Sequence, residues 1–589
     1  MEARISRQRG TVAVVDCYTD EPAGLGVPPY LGTHPRYVAG AASINGHQPV
    51  YLTIDDLRVT ANGRGRGYEH QKRTLNTTPN LARVSRVLEQ ARLVVVITGK
   101  GTPGKYLSAE PGSPEEAAKL VERCAPRHGP LVAAGPCAYT TQGHWAERYD
   151  LVATGDAECF VADLLAGKDP SDRRRDHTEL DVYARAGACI IPQHPWGAEA
   201  TVELETSRGC PRALSGGCSF CIEPETWGLP SFRSAKNIQT EVVALVAQGA
   251  RHFRLGRQSC IYSHGAHGIG DTERPRPDPA AVGQLLRAVR TAAPDLATLH
   301  VDNANPAVIA AHPEEAASVT KMIVRHCTSG NIAALGMESA DPAVVKANNL
   351  NAEPEEVLAA CRLINRYGAE RGKNGLPRFL PGINVVFGLL GETSETYELD
   401  LAFLRGLLDE ELLVRRINVR VVVPYSGTRL ARDGARLARR HHSLIMIYRK
   451  RIRDEVDVPM LRRVLPLGTV LTGLRVEIAK GRTTFLRQPG TYPITAALHA
   501  PLQSGEVVDA MVVAHRQRSV TVVPHPLDVN AVSMSLLTSV PGVGKRWAAR
   551  IVRGRPYRDV AELSPLLEEM SEPDALAAAL GLPARREKA

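Results

Sequence analysis

Three cysteines are the residues best suited to chemistry in this chain. Cys210, Cys218 and Cys221 fall within the twelve-residue stretch CPRALSGGCSFC. A structural zinc site needs four ligands, and disulfides use cysteines in even numbers. Thiolates suit iron–sulfur clusters as well as zinc, and a cubane cluster normally takes four cysteines. Three thiolates would leave one iron open to a substrate or cofactor, and the alternative is a zinc site completed by His264 or Cys260.

A repeating strand–helix pattern surrounds the cysteines. From about residue 201, short apolar strands alternate with helical segments such as NIQTEVVALVAQGA. The predicted strands are TVELETS, HFRLGRQ, ATLHVDN, IAALGMES, GINVVFGLLGE and RRINVRVVVPY. Six such βα units predict a partial (β/α)6 barrel over residues 201–430, with functional residues at the carboxyl ends of the strands. The cysteines follow the first of these strands.

The cysteine loop and the strand ends together resemble the radical SAM superfamily. Phe220 and the Cys218–Cys221 spacing match its CxxxCxxC signature, but seven residues, not three, separate Cys210 from Cys218. The later strand ends LGRQ, LGMESAD and VVFGLLGET resemble elements that seat the cofactor in that superfamily. The residues that this resemblance assigns to cofactor binding are Gly256, Gln258, Glu338, Ser339 and Gly388.

The resemblance implies a 4Fe–4S cluster held by Cys210, Cys218 and Cys221. S-adenosylmethionine would bind the open iron through its amino and carboxylate groups. An electron from a low-potential donor would then cleave it to methionine and a 5′-deoxyadenosyl radical, which abstracts hydrogen from a substrate. The protein's part is to orient the cofactor and to exclude water.

Residues 1–170 are predicted to form a doubly wound, Rossmann-like α/β domain. Apolar runs such as TVAVVDCY and GPLVAAGPCA alternate with helices, one of which begins at a Ser113 cap. This domain resembles those of cobalamin-binding radical SAM enzymes and of RNA methylthiotransferases. The resemblance implies cobalamin or a second iron–sulfur cluster, with Cys17 and Cys137 as candidate ligands. Both cysteines could equally be small core residues, because VVVITGKGT supplies no third thiol. Residues 171–200 are predicted to be a charged linker.

The C-terminal third is divided into three predicted parts. Residues 431–465 form a helical connector, and residues 466–525 form a small β-barrel resembling the TRAM-type RNA-binding barrel. In that barrel Arg482, Arg487 and Tyr492 could contact phosphates and bases; the alternative is a purely structural barrel.

Residues 526–589 contain LLTSVPGVGKRWAARIVRGR, which resembles a helix–hairpin–helix motif. Glycines in such a hairpin let backbone N–H groups face a phosphate, and basic side chains add charge. The alternative is a helical hairpin used for packing or docking. The predicted nucleic-acid-binding residues are Gly542, Gly544, Lys545, Arg546 and Arg550.

The charge of the chain is concentrated at its C-terminal end. Residues 401–589 carry 30 Lys and Arg against 18 Asp and Glu, whereas residues 1–400 carry 42 against 45. A basic excess of this kind favours a polyanionic partner, although an Arg-rich solvated surface is the simpler alternative. The sequence shows neither a signal peptide nor an apolar run of the ~20 residues that span a bilayer. We therefore expect a cytoplasmic protein with no membrane partner.

These observations predict a radical SAM enzyme that modifies a nucleic acid, with RNA as the first expectation, by methylthiolation or methylation. The C-terminal basic parts would hold the polymer. Two alternatives remain open at this point. One is a cobalamin-dependent radical methylase of a small molecule or protein. The other is a non-catalytic nucleic-acid-binding protein that contains a cluster.

Overall fold

A parallel sheet with a hydrophobic core on each face forms the N-terminal part of the chain. The computed structural model describes residues 9–19, 29–62, 75–99, 110–140 and 143–582. The strands here are β1 (Thr11–Asp16), β2 (Tyr30–Leu31), β3 (Gln48–Thr53), β4 (Ala91–Ile97), β5 (Leu131–Ala134) and β6 (Leu151–Val152). The helices are α1 (Thr33–Ile44), α2 (Ile54–Asn62), α3 (Val84–Gln90), α4 (Pro114–Cys124), α5 (Pro136–Thr140) and α6 (Ala157–Leu165).

The strands of the N-terminal sheet lie in the order β3–β1–β4–β5–β6, and apolar residues are buried on both faces of the sheet. Val12 and Val14 of β1 belong to one core, and Ala13 and Val15 belong to the other. A strand that is apolar on both faces suits a parallel sheet covered by helices on both sides. At the start of α4 the Ser113 hydroxyl accepts the Glu116 N–H at 3.1 Å, which confirms the predicted cap.

The glycine-rich stretch after β1 does more than connect two elements. Part of it, residues 20–28, lies outside the described residues. The remainder forms β2 and α1, and β2 leaves the N-terminal sheet to pair with a strand of the next one. The N-terminal part therefore contributes an edge strand to the neighbouring sheet.

The central part contains all six predicted strands in parallel arrangement, and the predicted α/β fold with parallel sheets is confirmed. Its strands are β7 (Thr201–Glu205), β8 (Ser207–Arg208), β9 (Ser231–Phe232), β10 (His252–Gly256), β11 (Thr298–His300), β12 (Asn303–Ala304), β13 (Asn331–Glu338), β14 (Phe379–Phe387) and β15 (Arg416–Val421). The helices are α7 (His177–Ala186), α8 (Glu223–Trp227), α9 (Ala235–Ala247), α10 (Pro279–Ala292), α11 (Pro306–Ala311), α12 (Pro313–His326), α13 (Pro342–Ala347), α14 (Pro354–Gly368) and α15 (Ser394–Asp409).

Two parallel sheets follow each other through this region. One has the order β11–β10–β7–β2, and the other has the order β12–β13–β14–β15. Only Val301 and Asp302 separate β11 from β12, so the chain passes directly from one sheet into the other. The carboxyl ends of the strands in the two sheets thus face the same side of the molecule. In the second sheet, β15 is an edge strand.

The C-terminal part is a helical segment, a small closed barrel and four short helices. The helices are α16 (Gly434–Arg440), α17 (His442–Ile452), α18 (Val458–Val464), α19 (Met534–Leu537), α20 (Lys545–Arg553), α21 (Ser564–Glu568) and α22 (Asp574–Ala579). The barrel strands are β16 (Val470–Lys480), β17 (Thr483–Arg487), β18 (Thr495–Leu498), β19 (Val507–His515) and β20 (Ser519–Pro524). These strands close into a barrel in the order β16–β17–β18–β20–β19. The β-rich sequence predicted a small barrel in this part of the chain. Within the described ranges, no helix is both long and apolar enough to cross a membrane.

A buried charge network joins the N-terminal and central parts. Glu241 of α9 accepts hydrogen bonds from Arg36 of α1 at 2.7 Å and from Arg233 at 2.6 Å. Arg233 also bonds Asp181 of α7 at 2.7 Å, and the side chains of Arg36, Arg233 and Glu241 have no exposed surface. The segment predicted as a linker, residues 171–200, contains α7. Asp181 of this helix takes part in the network, so the segment is packed against the central part.

We predict that Glu241→Gln strongly destabilises the protein. The substitution leaves two guanidinium groups buried without their shared carboxylate, and breaking one partner of a buried pair typically costs about 3–5 kcal/mol. Chemical denaturation should show the loss. As a control, Glu410→Gln removes an exposed carboxylate paired with Arg362 and should change stability far less. Equal losses in the two variants would contradict the structural role of the network.

Candidate functional site

The cysteine loop is a compact turn at the carboxyl end of β7. Residues Pro211–Ser215 form one 3-10 turn, and the four-residue expansion of the loop is accommodated by Gly216 and Gly217, with φ of 80° and 70°. Gly217 also lies so close to Pro224 that an added Cβ would meet the proline ring at 2.5 Å. The long first spacing therefore bulges outward at residues 214–216, whereas Gly217 is buried.

Asn348 holds this loop against two other turns. The Ser219 N–H and hydroxyl bond the backbone and side-chain oxygens of Asn348 at 2.9 and 2.7 Å. The Asn348 amide also donates to the Leu390 carbonyl at 2.8 Å and accepts the Leu390 N–H at 3.1 Å. Arg429 donates to the Gly217 carbonyl at 2.7 Å, and the Leu430 N–H bonds Ser219. Three segments distant in sequence thus fix the position of the cysteines.

The three thiols lie in one electrostatic environment. Burial is the main factor that raises the pKa of Cys210 to about 11 and of Cys218 to about 12, and the charges of the other two thiols add to the rise at Cys221. Arg212 opposes the rise at Cys218, with Nη1 at 3.8 Å from its sulfur. In the described part of the chain, no three His, Cys, Asp or Glu side chains are arranged to hold a single metal ion.

Two strained residues flank the cysteines at neighbouring strand ends. Arg257 and Glu338 follow or end β10 and β13 with φ of 61° and 66°, a conformation that costs non-glycine residues about 1–3 kcal/mol and is concentrated at functional sites. Burial raises the pKa of Glu338 to about 8, opposed by Arg420 of β15. The charge of Glu338 in turn acts on Cys218, which places this carboxylate beside the cysteine loop.

The other predicted cofactor residues occupy different surroundings. An added Cβ at Gly256 would lie 1.9 Å from the Glu203 carboxylate, so this position requires a glycine. The Gln258 side chain is enclosed, accepting the Thr206 hydroxyl at 2.9 Å and donating to the Leu255 carbonyl at the same distance. Its side chain therefore positions the loop after β10 rather than projecting toward the cysteines.

The Ser339 hydroxyl lies on the helix side of β13, and its contact with the cofactor stays a prediction. It donates to Asp400 of α15 at 3.0 Å and is fully buried there. Gly388, by contrast, directly follows β14 with φ of 95°, and its N–H and that of Leu389 both bond the Glu392 carboxylate, at 2.7 and 2.9 Å. The turn after β14 is therefore held open beside the cysteine loop, whereas Ser339 packs away from it.

The helical C-terminal segment contains the predicted hairpin turn. Gly542 has φ of 76°, and an added Cβ there would lie 2.4 Å from the Glu572 carbonyl oxygen. Gly544 precedes α20 with open space around it, and Lys545 begins that helix. The guanidinium groups of Arg546 and Arg550 lie over the Trp547 ring. The charge of Arg550 is already paired, because it bonds Glu569 at 2.5 and 3.1 Å.

Two barrel residues expected to contact RNA are engaged with other side chains of the protein. The segment Pro489–Tyr492, which we call the strap, lies against β11: the Thr491 N–H bonds His300 at 3.1 Å and the Tyr492 hydroxyl bonds Asp302 at 2.9 Å. Arg487 is paired with Glu477 at 2.9 Å. The strap therefore covers part of the central sheet. Sequence reasoning missed this contact because it joins segments that are distant in the chain.

The N-terminal cysteines lie at the carboxyl ends of β1 and β5, the two strands on either side of β4. Cys17 follows β1 and Cys137 lies in α5 after β5, and both are buried. Burial, followed by nearby acidic charges, raises the pKa of Cys17, and the Cys137 thiol adds to the effect. Tyr139 of α5 contacts Trp227 beside the cysteine loop, with ring centroids 5.9 Å apart. This edge of the N-terminal sheet therefore faces the candidate site.

Comparison with known proteins finds relatives along nearly the whole chain, although no family profile matches it. The uncharacterized protein MJ0274 of Methanocaldococcus jannaschii is 39% identical over 529 residues, or 87% of this chain and 93% of that protein. An uncharacterized protein of Archaeoglobus fulgidus is 39% identical over 561 residues, or 94% and 97% of the two chains.

More distant relatives are methylthiotransferases. The ribosomal protein uS12 methylthiotransferase RimO of Acaryochloris marina is 23% identical over 288 residues, 48% of this chain and 58% of that protein. A tRNA-2-methylthio-N(6)-dimethylallyladenosine synthase of Acidithiobacillus ferrooxidans is 37% identical over 79 residues, 13% and 17% of the two chains. The chain belongs to the same family as MJ0274.

One solved structure similar to this MJ0274-family protein is the radical S-adenosylmethionine methyltransferase TsrM from Kitasatospora setae. The match has a TM-score of 0.46 and 15% identity, and it covers 72% of this chain and 77% of that one.

We predict that the stability of the MJ0274-family protein falls as the pH rises from about 4 to 7, and that Asp400→Asn weakens this dependence. Burial raises the pKa of Asp400 to about 7. The folded protein keeps this proton after the unfolded chain has lost it, so the stabilisation present at low pH disappears toward pH 7. For this group alone the change is at most about 4 kcal/mol.

Denaturation midpoints measured across this pH range test the prediction. Asp409→Asn, at an exposed position near the end of the same helix, is the control and should keep the wild-type pH dependence. If the denaturation midpoint changes with pH by the same amount in wild type and in Asp400→Asn, other groups cause the pH dependence and the prediction is wrong.

Proposed function

We propose that this protein is a radical SAM enzyme that modifies RNA by methylthiolation or methylation. The observation that carries the proposal is the gathering of Cys210, Cys218 and Cys221 in one clamped loop at the end of β7, beside Glu338 and Gly388. In the parallel sheets of α/β enzymes this end of the strands is where ligands bind. The resemblance of the cysteine loop and of the later strand ends to the radical SAM superfamily supports the same assignment of the site.

The donor set fits a 4Fe–4S cluster with S-adenosylmethionine. The three cysteines would hold the cluster, and three thiolates leave one iron for the amino and carboxylate groups of S-adenosylmethionine. Bound there, the cofactor would supply a 5′-deoxyadenosyl radical that takes hydrogen from the substrate. The apolar residues packed against Cys218 and Phe220, including Leu389 and Val422, exclude water from the loop.

The residues around the loop have separable tasks in this proposal. Arg212 and Arg429 are cations beside the thiols, and they offset negative charge that builds up on thiolate ligands. Gly256 and Gly388 keep the neighbouring strand ends free of side chains. Glu338, at the end of β13, is available to the amino group of the cofactor. An electron would come from a separate low-potential donor.

RNA is proposed as the substrate on two grounds. The basic excess of the C-terminal third favours a polyanion, and one of the relatives is named for a modified tRNA nucleoside. We propose the domain boundaries of the sequence analysis for this arrangement, with the hairpin around Gly542, Gly544, Lys545 and Arg546 as a contact to the RNA backbone. Arg550 would have to exchange its Glu569 partner for a phosphate.

A cobalamin-dependent methylase is the second candidate. It is favoured by the Tyr139–Trp227 contact, which sets the carboxyl edge of the N-terminal sheet against the cysteine loop. That edge is where a doubly wound sheet binds a ligand. A second iron–sulfur cluster is less well supported, because Cys17 and Cys137 supply only two thiols among the described residues of that edge.

We predict that Cys218→Ala abolishes cluster assembly and S-adenosylmethionine cleavage. Anaerobic reconstitution with iron and sulfide should give wild type the broad visible absorbance of a cubane cluster. With dithionite and S-adenosylmethionine it should then form 5′-deoxyadenosine. The variant should show neither signal.

Cys327→Ala is the matched control, because Cys327 follows α12 and lies outside the loop. It should retain both signals. A wild-type protein that assembles a cluster yet forms no 5′-deoxyadenosine would contradict the enzymatic proposal and favour a non-catalytic cluster protein. The same preparation tests the second candidate: no corrinoid absorbance after reconstitution with cobalamin would exclude it.

We predict that loss of this protein removes one modified nucleoside from cellular RNA. Nucleosides of tRNA and rRNA from wild-type and deletion strains should differ by a methylthio or methyl mass, and the difference should be restored by the wild-type protein but not by Cys218→Ala. Identical nucleoside profiles in the two strains would contradict RNA as the substrate.

A further inference from the structure

A cavity lies at the free edge of β15, outside the cysteine loop. Its volume is about 360 Å³, and it is formed between the end of β15 and helices α16 and α17. Apolar side chains make its floor, among them Val421, Ile445 and Met446, and Met446 remains 52% exposed. Arg439, His442 and Arg449 stand around it. An apolar floor with basic groups around it suits a flat ring attached to an anion.

The cavity is part of a larger group of arginines, which we call the basic face. It draws on β15, on the helical segment that follows, and on the β19–β20 hairpin of the barrel. Its members are Arg416, Arg420, Arg439, Arg449, Arg453 and Arg518. Among the described residues, none of the six forms an ion pair with a carboxylate. Elsewhere in the chain arginines are commonly paired, as Arg362 is with Glu410.

The charges of the basic face act on each other. Burial lowers the pKa of Arg449, and the positive charges of Arg453 and Arg518 lower it further. Arg420 and Arg518 have the same effect on Arg416. Burial raises the pKa of the Asp457 carboxyl group to about 6, and the charges of Arg518, Arg453 and Arg416 oppose that rise. Cations that lie close together without ion-pair partners repel each other, which raises the free energy of the folded protein. A bound polyanion would offset this repulsion.

The basic face leads directly to the candidate site. Arg420 acts on Glu338, and Glu338 acts on Cys218. An added Cβ on Gly388, at the turn beside the cysteines, would lie 3.3 Å from Ala438, which also lines the cavity. The turn after β14 therefore lies between a ligand in the cavity and the predicted cofactor site.

We propose that the cavity and the basic face bind the single-stranded RNA segment next to the modified nucleotide. One neighbouring base would lie on the apolar floor over Met446 and Ile445. Phosphates on either side would contact Arg439, Arg449 and Arg518. This inference rests on the proposed RNA substrate, and it places the main RNA contact at β15 instead of at the strap, whose Tyr492 is engaged with Asp302, or at the C-terminal hairpin.

The test is RNA binding by the full-length protein, measured by fluorescence anisotropy with a labelled single-stranded RNA oligonucleotide of mixed sequence over a series of salt concentrations. Arg449→Glu/Arg518→Glu should weaken binding by about tenfold or more and reduce the slope of log K against log salt by about two, one for each lost phosphate contact. Met446→Trp fills the cavity without changing charge, so it should weaken binding with an unchanged slope.

Arg362→Glu/Arg366→Glu is the matched control. It makes the same change in net charge on α14, where Arg362 is already paired with Glu410 and Arg366 lies over Tyr367. Affinity and salt slope should stay at wild-type values, and thermal unfolding should show that each variant is folded. Wild-type binding by the Arg449/Arg518 variant would overturn the inference, as would a loss of binding confined to Lys545→Glu/Arg546→Glu.

The outcome can be separated from that of the proposed function. Formation of 5′-deoxyadenosine by the reconstituted wild type tests the enzymatic proposal without any RNA. If wild type cleaves S-adenosylmethionine but the Arg449/Arg518 variant binds RNA normally, only the location of the RNA site is wrong. If wild type binds no RNA at all, both the inference and the RNA substrate are wrong, whatever the cleavage assay shows.

Discussion

Asn348 is the residue on which the candidate site depends. Its side chain and backbone join the cysteine loop, the end of α13 and the turn after β14, through Ser219 and Leu390. A buried amide with every polar atom bonded has one geometry, since any rotation would leave a donor or acceptor unsatisfied at about 1–3 kcal/mol each. The three thiols are therefore placed by a hydrogen-bonded clamp before any ligand is bound.

The clamp explains why the unusual cysteine spacing is tolerated. The extra residues between Cys210 and Cys218 are absorbed by turns at Gly216, which is exposed, and Gly217, which is buried, while Ser219 stays bonded to Asn348. Arg429 reaches over from the segment after β15 to hold the Gly217 carbonyl. The long spacing thus changes the surface of the loop more than the position of its second and third cysteines.

Local patterns predicted much of this architecture, because strands, caps and glycine turns depend on near neighbours. The six central strands, the Ser113 cap and the turn at Gly542 are of this kind. Contacts between distant segments were not predictable: β2 joins the central sheet, and Tyr492 of the strap bonds Asp302. The bulge between Gly336 and Glu338 shifts the alternation of β13 ahead of Ser339, and the local sequence pattern did not predict this shift.

The central claim is that the clamped cysteines hold a cluster with one iron open to S-adenosylmethionine. Electron paramagnetic resonance of the anaerobically reconstituted, dithionite-reduced protein tests it most directly. The account predicts the signal of a reduced 4Fe–4S cluster whose g-values shift when S-adenosylmethionine is added. A cluster signal that S-adenosylmethionine leaves unchanged, or the absence of any such signal, would contradict it.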